Sequence, residues 1–276
     1  MSNKLKDILR KKLSKKELKL VPSSFDIVGN IMIFSDFPKE LSKKEKIIGN
    51  EILKNYKQIK SIFKKTKKHS GKYRAPKLKL LAGENSKETI HKENNVILKL
   101  NVEKVYFSPR LSEERKRIFK QVKNNETILV MFSGCGVYPL VIGKNTKTKN
   151  IIGIEINPVA HKYAVENLKL NKINNIELKL GDAKKVLPKI NIKFNRILMP
   201  LPKGAENFLN LALKKIKNNG KIHFYSFSEE NNYNKLKKII NEECKNNNKK
   251  CKIIDIVKCG QFSPRVLRMC VDFKVM

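Results

Sequence analysis

The residues best suited to chemistry lie in the second half of the chain: a glycine loop followed by two acids at set intervals. Met131-Phe132-Ser133-Gly134-Cys135-Gly136 comes directly after an apolar run and directly before a helical pattern. Gly134 and Gly136 there allow the backbone to approach a ligand closely and to take turns that a Cβ forbids. About 20 residues further on, Glu155 closes the next apolar run, the interval at which a strand-end carboxylate meets both hydroxyls of a ribose. Asp182, in Leu180-Gly181-Asp182-Ala183, closes the third run and is placed for an adenine amino group. Together they describe an adenosine pocket. A nicotinamide dinucleotide would use a similar acid, but the loop lacks the full G-x-G-x-x-G and nothing resembles a hydride-transfer site.

These residues need a scaffold that brings strand ends to one edge. From Thr127 onward short apolar runs alternate with helical ones, the pattern of a doubly wound parallel sheet. Strands are expected at 127–132, 150–156, 176–180, 196–199, 221–227, 251–257 and 266–275, and helices at 137–142, 158–170, 205–216 and 231–246. Pro158 suits a helix's first turn. Only Lys258–Pro264 separates the last two strands, which should form an antiparallel hairpin. The expected fold is therefore α/β: a Rossmann-like, seven-stranded class I methyltransferase sheet, residues 103–276, after a small α+β domain, residues 1–102. In that first domain Gly29-Asn30 lies between Phe25–Val28 and Ile31–Phe34, a hairpin signal. Residues 43–56 read as a helix, 64–69 as a basic run, and 78–81 and 96–100 as strands.

The chain has 276 residues, with 61 Lys plus Arg against 25 Asp plus Glu and a net charge of +36. Such a balance repels itself unless a polyanion is at hand, and points to nucleic acid. Arginine is rare, so Arg110, Arg115 and Arg117, crowded into one stretch, carry more information than the lysine runs. The five cysteines form no C-x-x-C pair and stand beside no histidine cluster, so neither a disulfide framework nor a metal site is expected. The N-terminus has no signal-like apolar region, and no apolar run approaches the ~20 residues of a membrane span. A cytoplasmic monomer with no membrane and no obligate protein partner is the expectation.

Several motifs, in order across both domains, carry a resemblance. Lys72-Tyr73-Arg74 and Leu81-Ala82-Gly83-Glu84, then Val105-Tyr106-Phe107-Ser108-Pro109-Arg110-Leu111-Ser112-Glu113-Glu114-Arg115, the loop Met131–Gly136, Glu155-Ile156-Asn157-Pro158 and Met199-Pro200-Leu201-Pro202-Lys203 resemble the archaeal and eukaryotic Trm5 family. Those enzymes methylate N1 of guanosine 37 in tRNA, and relatives in wyosine synthesis methylate carbon or transfer an aminocarboxypropyl group from the same cofactor. The resemblance implies S-adenosyl-L-methionine as cofactor and the tRNA anticodon stem-loop as partner. Guanine N1 bears a proton, so its attack on a sulfonium methyl asks for a base and for a donor at O6. The resemblance assigns Glu114 as that base and Arg74 to O6, with Tyr106 beside the extruded base and Pro202 in the target-base loop. It sets Arg110, Arg115, Phe132 and Pro200 with Gly134, Gly136, Glu155 and Asp182 around the cofactor. Read without it, Glu113–Arg117 is a solvated helix face with i,i+3 ion pairs, Arg110 a domain-bridging cation and Tyr106 a core aromatic. The basic face around Arg110, Arg115 and Arg117 is expected to hold the stem-loop.

Two positions depart from the family pattern. Val130 replaces an acid before Met-Phe, and Pro200 replaces an Asn whose amide would meet the target base; proline offers neither that amide nor an N–H. Retention of Leu201-Pro202 favours methyl over aminocarboxypropyl transfer, and Pro200 leaves room for a second activity, C7 methylation of a tricyclic precursor. The matched region begins near residue 20, which implies that a further N-terminal module of some archaeal members is missing.

Overall fold

In a computed structural model the chain divides into two compact units, residues 1–93 with 97–109, and residues 94–96 with 110–276. All residues are described except Met1, Gly71, Lys72, Arg74, Pro202, Glu230, Asn231 and Pro264, and the side chains of residues 2–4 and 67–70.

The first unit opens with two short helices, α1 (Ser2–Leu9) and α2 (Lys15–Leu20), the second started by a capping box between Ser14 and Glu17. Strands β1 (Asp26–Val28) and β2 (Ile31–Phe34) form the hairpin expected around Gly29, whose φ is 56°. Helix α3 (Glu45–Asn55) follows, then β3 (Ser61–Ser70), parallel to β2, and β4 (Ala75–Gly83), antiparallel to β3. Leu5, Leu9, Met32, Phe34, Ile48, Ile52 and Ile62 fill the core beneath this sheet. The basic run is thus part of a strand: Ile62 and Phe63 anchor β3 in the core, while Lys64 and Lys79, paired across β3 and β4, share the buried carboxylate of Glu45. A separate hairpin, β5 (Glu88–Glu93) and β6 (Val96–Asn101), turns through Asn94-Asn95, both at positive φ as a two-residue turn requires.

The second unit begins with α4 (Ser112–Lys120). It continues through β7 (Thr127–Met131), α5 (Val137–Asn145), β8 (Asn150–Glu155), α6 (Pro158–Leu170), β9 (Ile176–Leu180), the single turn α7 (Ala183–Val186) and β10 (Phe194–Met199). After a 3-10 turn at Ala205–Phe208 come α8 (Leu209–Lys215), β11 (Ile216–Glu229), α9 (Asn234–Asn246), β12 (Cys251–Ser263) and β13 (Val266–Val275). The strands form one sheet in the order β12-β13-β11-β10-β7-β8-β9. Strands β11, β10, β7, β8 and β9 are parallel; β13 runs antiparallel between β11 and β12. This is the class I methyltransferase architecture expected from the alternation of strands and helices. β7 and β8 are buried on both faces, which is why they read as unbroken apolar runs.

In this sheet β12 and β11 run well past the bounds that their sequence patterns suggest. β12 continues six residues past Val257 because register shifts at 253/255, 258/260 and 261/263 break its alternation without ending its pairing. β11 starts at Ile216 and ends at Glu229, so the polar Lys217-Asn218-Asn219 lies in a strand.

Candidate active site

The parallel strands deliver the pocket residues to one edge. Met131 of β7 pairs with Ile154 of β8, Leu198 of β10 with Val130, and Glu155 with Leu180 of β9. The glycine loop, Glu155, Asp182 and Pro200 therefore emerge together from the carboxyl ends of four adjacent strands. Phe132, Gly134 and Gly136 have φ of 63°, 59° and 84°. The first is unusual for a residue with a Cβ and costs on the order of 1–2 kcal/mol. It turns the chain off β7 and sets the Phe132 ring edge-on to Phe208 at 4.8 Å. A Cβ on Gly136 would stand 3.1 Å from that of Ala164, a tight approach at a φ of 84° that already favours glycine.

Glu155 is buried. Its Oε2 accepts the Gly134 N–H at 2.7 Å and its Oε1 the Asn157 N–H at 2.7 Å. Burial pushes this carboxyl above the ordinary carboxylate range, against the pull of the Asn157 and Gly134 N–H groups. A carboxylate has about four acceptor positions, so Glu155 keeps capacity for a ribose hydroxyl beside these backbone contacts. Asn157 caps α6 through Val159 N–H at 3.0 Å. Asp182 caps α7, accepting Lys184 N–H at 2.9 Å through Oδ1; its other oxygen remains an acceptor at the pocket's rim. Ser133 Oγ, also in the loop, is buried with no hydrogen-bond partner among the described residues. Pro200 sits at the centre of a tight turn in which Leu201 N–H donates to Met199 O at 2.7 Å, a φ-restricted position that proline suits.

Glu114 does not lie on a solvated helix face. It is buried on the side of α4 that meets the sheet. Arg117 chelates it, Nε to Oε2 at 2.7 Å and Nη2 to Oε1 at 2.8 Å, and the Tyr225 hydroxyl donates to Oε1 at 2.7 Å. Arg117 also reaches Asp272 at 2.5 Å. Asp272 meets His223 Nδ1 at 2.6 Å, and His223 Nε2 meets Arg196 at 2.7 Å. Arg196 in turn pairs with Glu126 and donates to Gln121 O. A guanidinium only donates, so His223 Nε2 accepts from Arg196 and Nδ1 carries the proton given to Asp272. Burial depresses His223 despite Asp272, and holds it neutral. For Asp272 burial acts upward, yet His223 and Arg117 outweigh it and hold the carboxyl far below its usual range. In Arg117 burial acts to lower, and Glu114 and Asp272 more than reverse it. His223, Cys270 and Asp272 bring potential ligand atoms within 4.8 Å of one another. Two of the three are already bonded to arginines, Asp272 to Arg117 and His223 to Arg196.

This layer of Arg196, His223, Tyr225 and Asp272 was not singled out from sequence, although a usable signal is there: polar residues at alternating positions of otherwise apolar strands. One expectation fails. Arg115 is 2% exposed, 6.0 Å from the Tyr138 ring centroid, and Arg117 is committed to two carboxylates, so only Arg110 of the three is exposed to meet phosphate. Tyr106 is partly buried within the first unit. Arg74 and Pro202 lie outside the described residues.

The family model of the TRM5/TYW2 methyltransferase domain matches residues 89–254, and that of the TYW2 N-terminal domain residues 5–86. The similarity thus begins at residue 5 rather than near 20. A tRNA (guanine(37)-N(1))-methyltransferase Trm5b of Pyrococcus abyssi is 40% identical, covering 93% of this chain and 76% of its own. A tRNA (guanine(37)-N(1))/4-demethylwyosine(37)-methyltransferase Taw22 of Nanoarchaeum equitans is 39% identical over 79% of this chain and 88% of its own. The crystal structure of Methanocaldococcus jannaschii Trm5 in complex with adenosine superposes with a TM-score of 0.80 at 32% identity, covering 98% of this chain and 78% of that one.

Proposed function

The chain belongs to the TRM5/TYW2 methyltransferase family, and we propose from that premise that it transfers a methyl group from S-adenosyl-L-methionine to N1 of guanosine 37 in tRNA. The observation that carries the reading is Glu155: a buried carboxylate bonded to the glycine loop beside a capping acid, at the sheet edge, with a second buried carboxylate, Glu114, in the same unit. The Trm5 relative crystallised with adenosine supports an adenosine-bearing cofactor, and we assign Glu155 to its ribose.

The cofactor supplies an electrophilic methyl on a sulfonium. The protein's part is to hold adenosine through Glu155, Asp182 and the loop, and to take the N1 proton. Among the described residues Glu114 Oε1 accepts from Tyr225 and Arg117, and Oε2 from Arg117 Nε alone; Oε2 is the oxygen with a position left for the proton. As that proton moves to Oε2, N1 bonds to the methyl carbon and the carbon–sulfur pair leaves with sulfur. The family resemblance assigns Arg74 to O6, where charge develops, and Tyr106 to the target base. Arg110, exposed, faces phosphate. The reading also takes the protein as a cytoplasmic monomer that needs no partner chain; among the described residues no helix is long and apolar enough to cross a membrane.

The test is a digest of guanosine-37 tRNA after incubation with labelled cofactor. Methyl label on N1 of that guanosine is expected; transfer of carboxyl label, or of none, refutes the reading. A second activity, methylation at C7 of 4-demethylwyosine, is favoured by Pro200 and by the similarity to the dual-specificity Taw22. With no Asn amide to select guanine, base recognition there falls to backbone groups that a tricyclic base can also meet.

A further inference from the structure

The antiparallel end of the sheet overhangs the edge that carries the pocket. β10 ends at Met199, level with Phe224 of β11, but β11 runs on to Glu229 with β13 paired alongside. On one face of this overhang the cross-strand pairs, from mid-sheet outward, are His223/Asp272, Tyr225/Cys270 and Phe227/Arg268. The first two pairs belong to the buried layer under α4. The third is open. There Phe227 is stacked by Phe262 of β12, ring centroids 4.1 Å apart and planes 32° from parallel, and the Arg268 guanidinium stands 5.9 Å from the Phe227 centroid. Phe262 is nevertheless 57% exposed. Two residues of strand are about 7 Å, so this shelf begins one side-chain length from Tyr225, whose hydroxyl holds Glu114.

A solvent-exposed phenyl, Phe262, fixed against a second ring that carries a guanidinium offers a π face in a positively charged surrounding. One ring is too small a patch to bury a protein partner's apolar face, and the net charge of +36 selects an anionic partner. Stacking on such a face accepts any base, because every base has one. We propose that Phe262 and Phe227, with Arg268 beside them, are a stacking shelf for an unpaired RNA base that flanks the nucleotide being modified. This rests on the reading of an RNA substrate whose target base comes to Glu114.

The experiment measures binding of the whole protein to an anticodon stem-loop, apart from methyl transfer. Phe262→Ala should weaken binding roughly 5- to 150-fold, leave the salt dependence unchanged because no phosphate contact is lost, and leave cofactor affinity unchanged. Phe262→Trp should bind as the parent does. Phe262→Leu, which keeps apolar cover over Phe227 without a π face, should lose most of what Ala loses, and carries the test if the Ala variant fails to fold. Stem-loops abasic at one or the other position flanking the guanosine complete a cycle: at one of them the abasic loss and the Phe262→Ala loss should not add. Binding within twofold of the parent for Ala and Leu, or additive losses at both positions, overturns the shelf. Parent protein that binds the stem-loop but methylates no guanosine overturns the proposed reaction instead, while the binding comparison still decides the shelf.

Discussion

Glu114→Gln separates two roles that the structure gives to one side chain. As an anchor, Glu114 joins α4 to the sheet through two contacts with Arg117, 2.7 and 2.8 Å, and one with Tyr225, 2.7 Å. Gln keeps one acceptor oxygen and turns an NH2 toward a guanidinium, but Arg117 retains Asp272 at 2.5 Å and is not left an unpaired buried charge. The loss is therefore one or two charge-assisted hydrogen bonds, about 2–3 kcal/mol, or a melting temperature lower by roughly 4–12 °C for a unit of this size. A protein with the usual ~5–15 kcal/mol of stability stays folded at 25 °C after such a change. Unfolding cannot then account for a large drop in rate. Loss of a general base costs ~100- to 10,000-fold, and that is the expected fall in the single-turnover rate of methyl transfer at saturating tRNA and cofactor. Tyr225→Phe is the control, since it removes one donor to Oε1 and leaves Oε2 and the Arg117 chelate in place; it should melt lower yet retain most of the rate. A Glu114→Gln enzyme with a lowered melting temperature and a rate within about threefold of the parent would refute the base and leave Glu114 as the anchor of α4 alone.

Glu155→Ala should weaken S-adenosyl-L-methionine by about 1.5–3 kcal/mol, the worth of charge-assisted contacts to the ribose, and unchanged affinity by titration calorimetry would remove the ribose assignment. Because burial raises the Glu155 carboxyl, it should take up a proton at a pH above the ordinary carboxylate range, so cofactor affinity in the parent should decline on acidification earlier than a solvated acid would allow. Affinity for tRNA should fall steeply between low and moderate salt while cofactor affinity holds; a flat tRNA response would count against phosphate neutralisation. Stability should also decline on acidification. His223 and Asp272 both have folded-state values below their unfolded ones, so the unfolded chain takes up protons first: their contribution is complete above about pH 6.5, is eroded below that by His223, and is eroded again below about pH 3.9 by Asp272. Urea midpoints measured from pH 8 to 5 should show a slope that His223→Gln reduces; an unaltered slope would mean that His223 is not held neutral.

What could be read from the sequence, and what could not, follows from how far apart the cooperating residues lie along the chain. The pocket was legible because its parts are local: a strand, a glycine turn and an acid one strand later, with Asn157 and Pro158 announcing α6 by capping chemistry that needs no distant partner. The basic strand β3 was not, since only two apolar residues, Ile62 and Phe63, anchor it in the core and Lys64 is held by Glu45, distant in the chain. The buried layer under α4 was the hardest to see. Arg117 and Asp272 stand 155 positions apart and meet only once β13 has inserted beside β11. Yet Arg196, His223 and Asp272 each interrupt an apolar strand at a position that must face inward, and three such interruptions on neighbouring strands can be satisfied only by one another or by a helix laid across them. α4, with Glu114, Arg117 and Gln121 on its inner side, is that helix. The same polar network that fixes α4 therefore fixes the carboxylate proposed as the base, so the place of Glu114 and the pairing of β10, β11 and β13 are specified together.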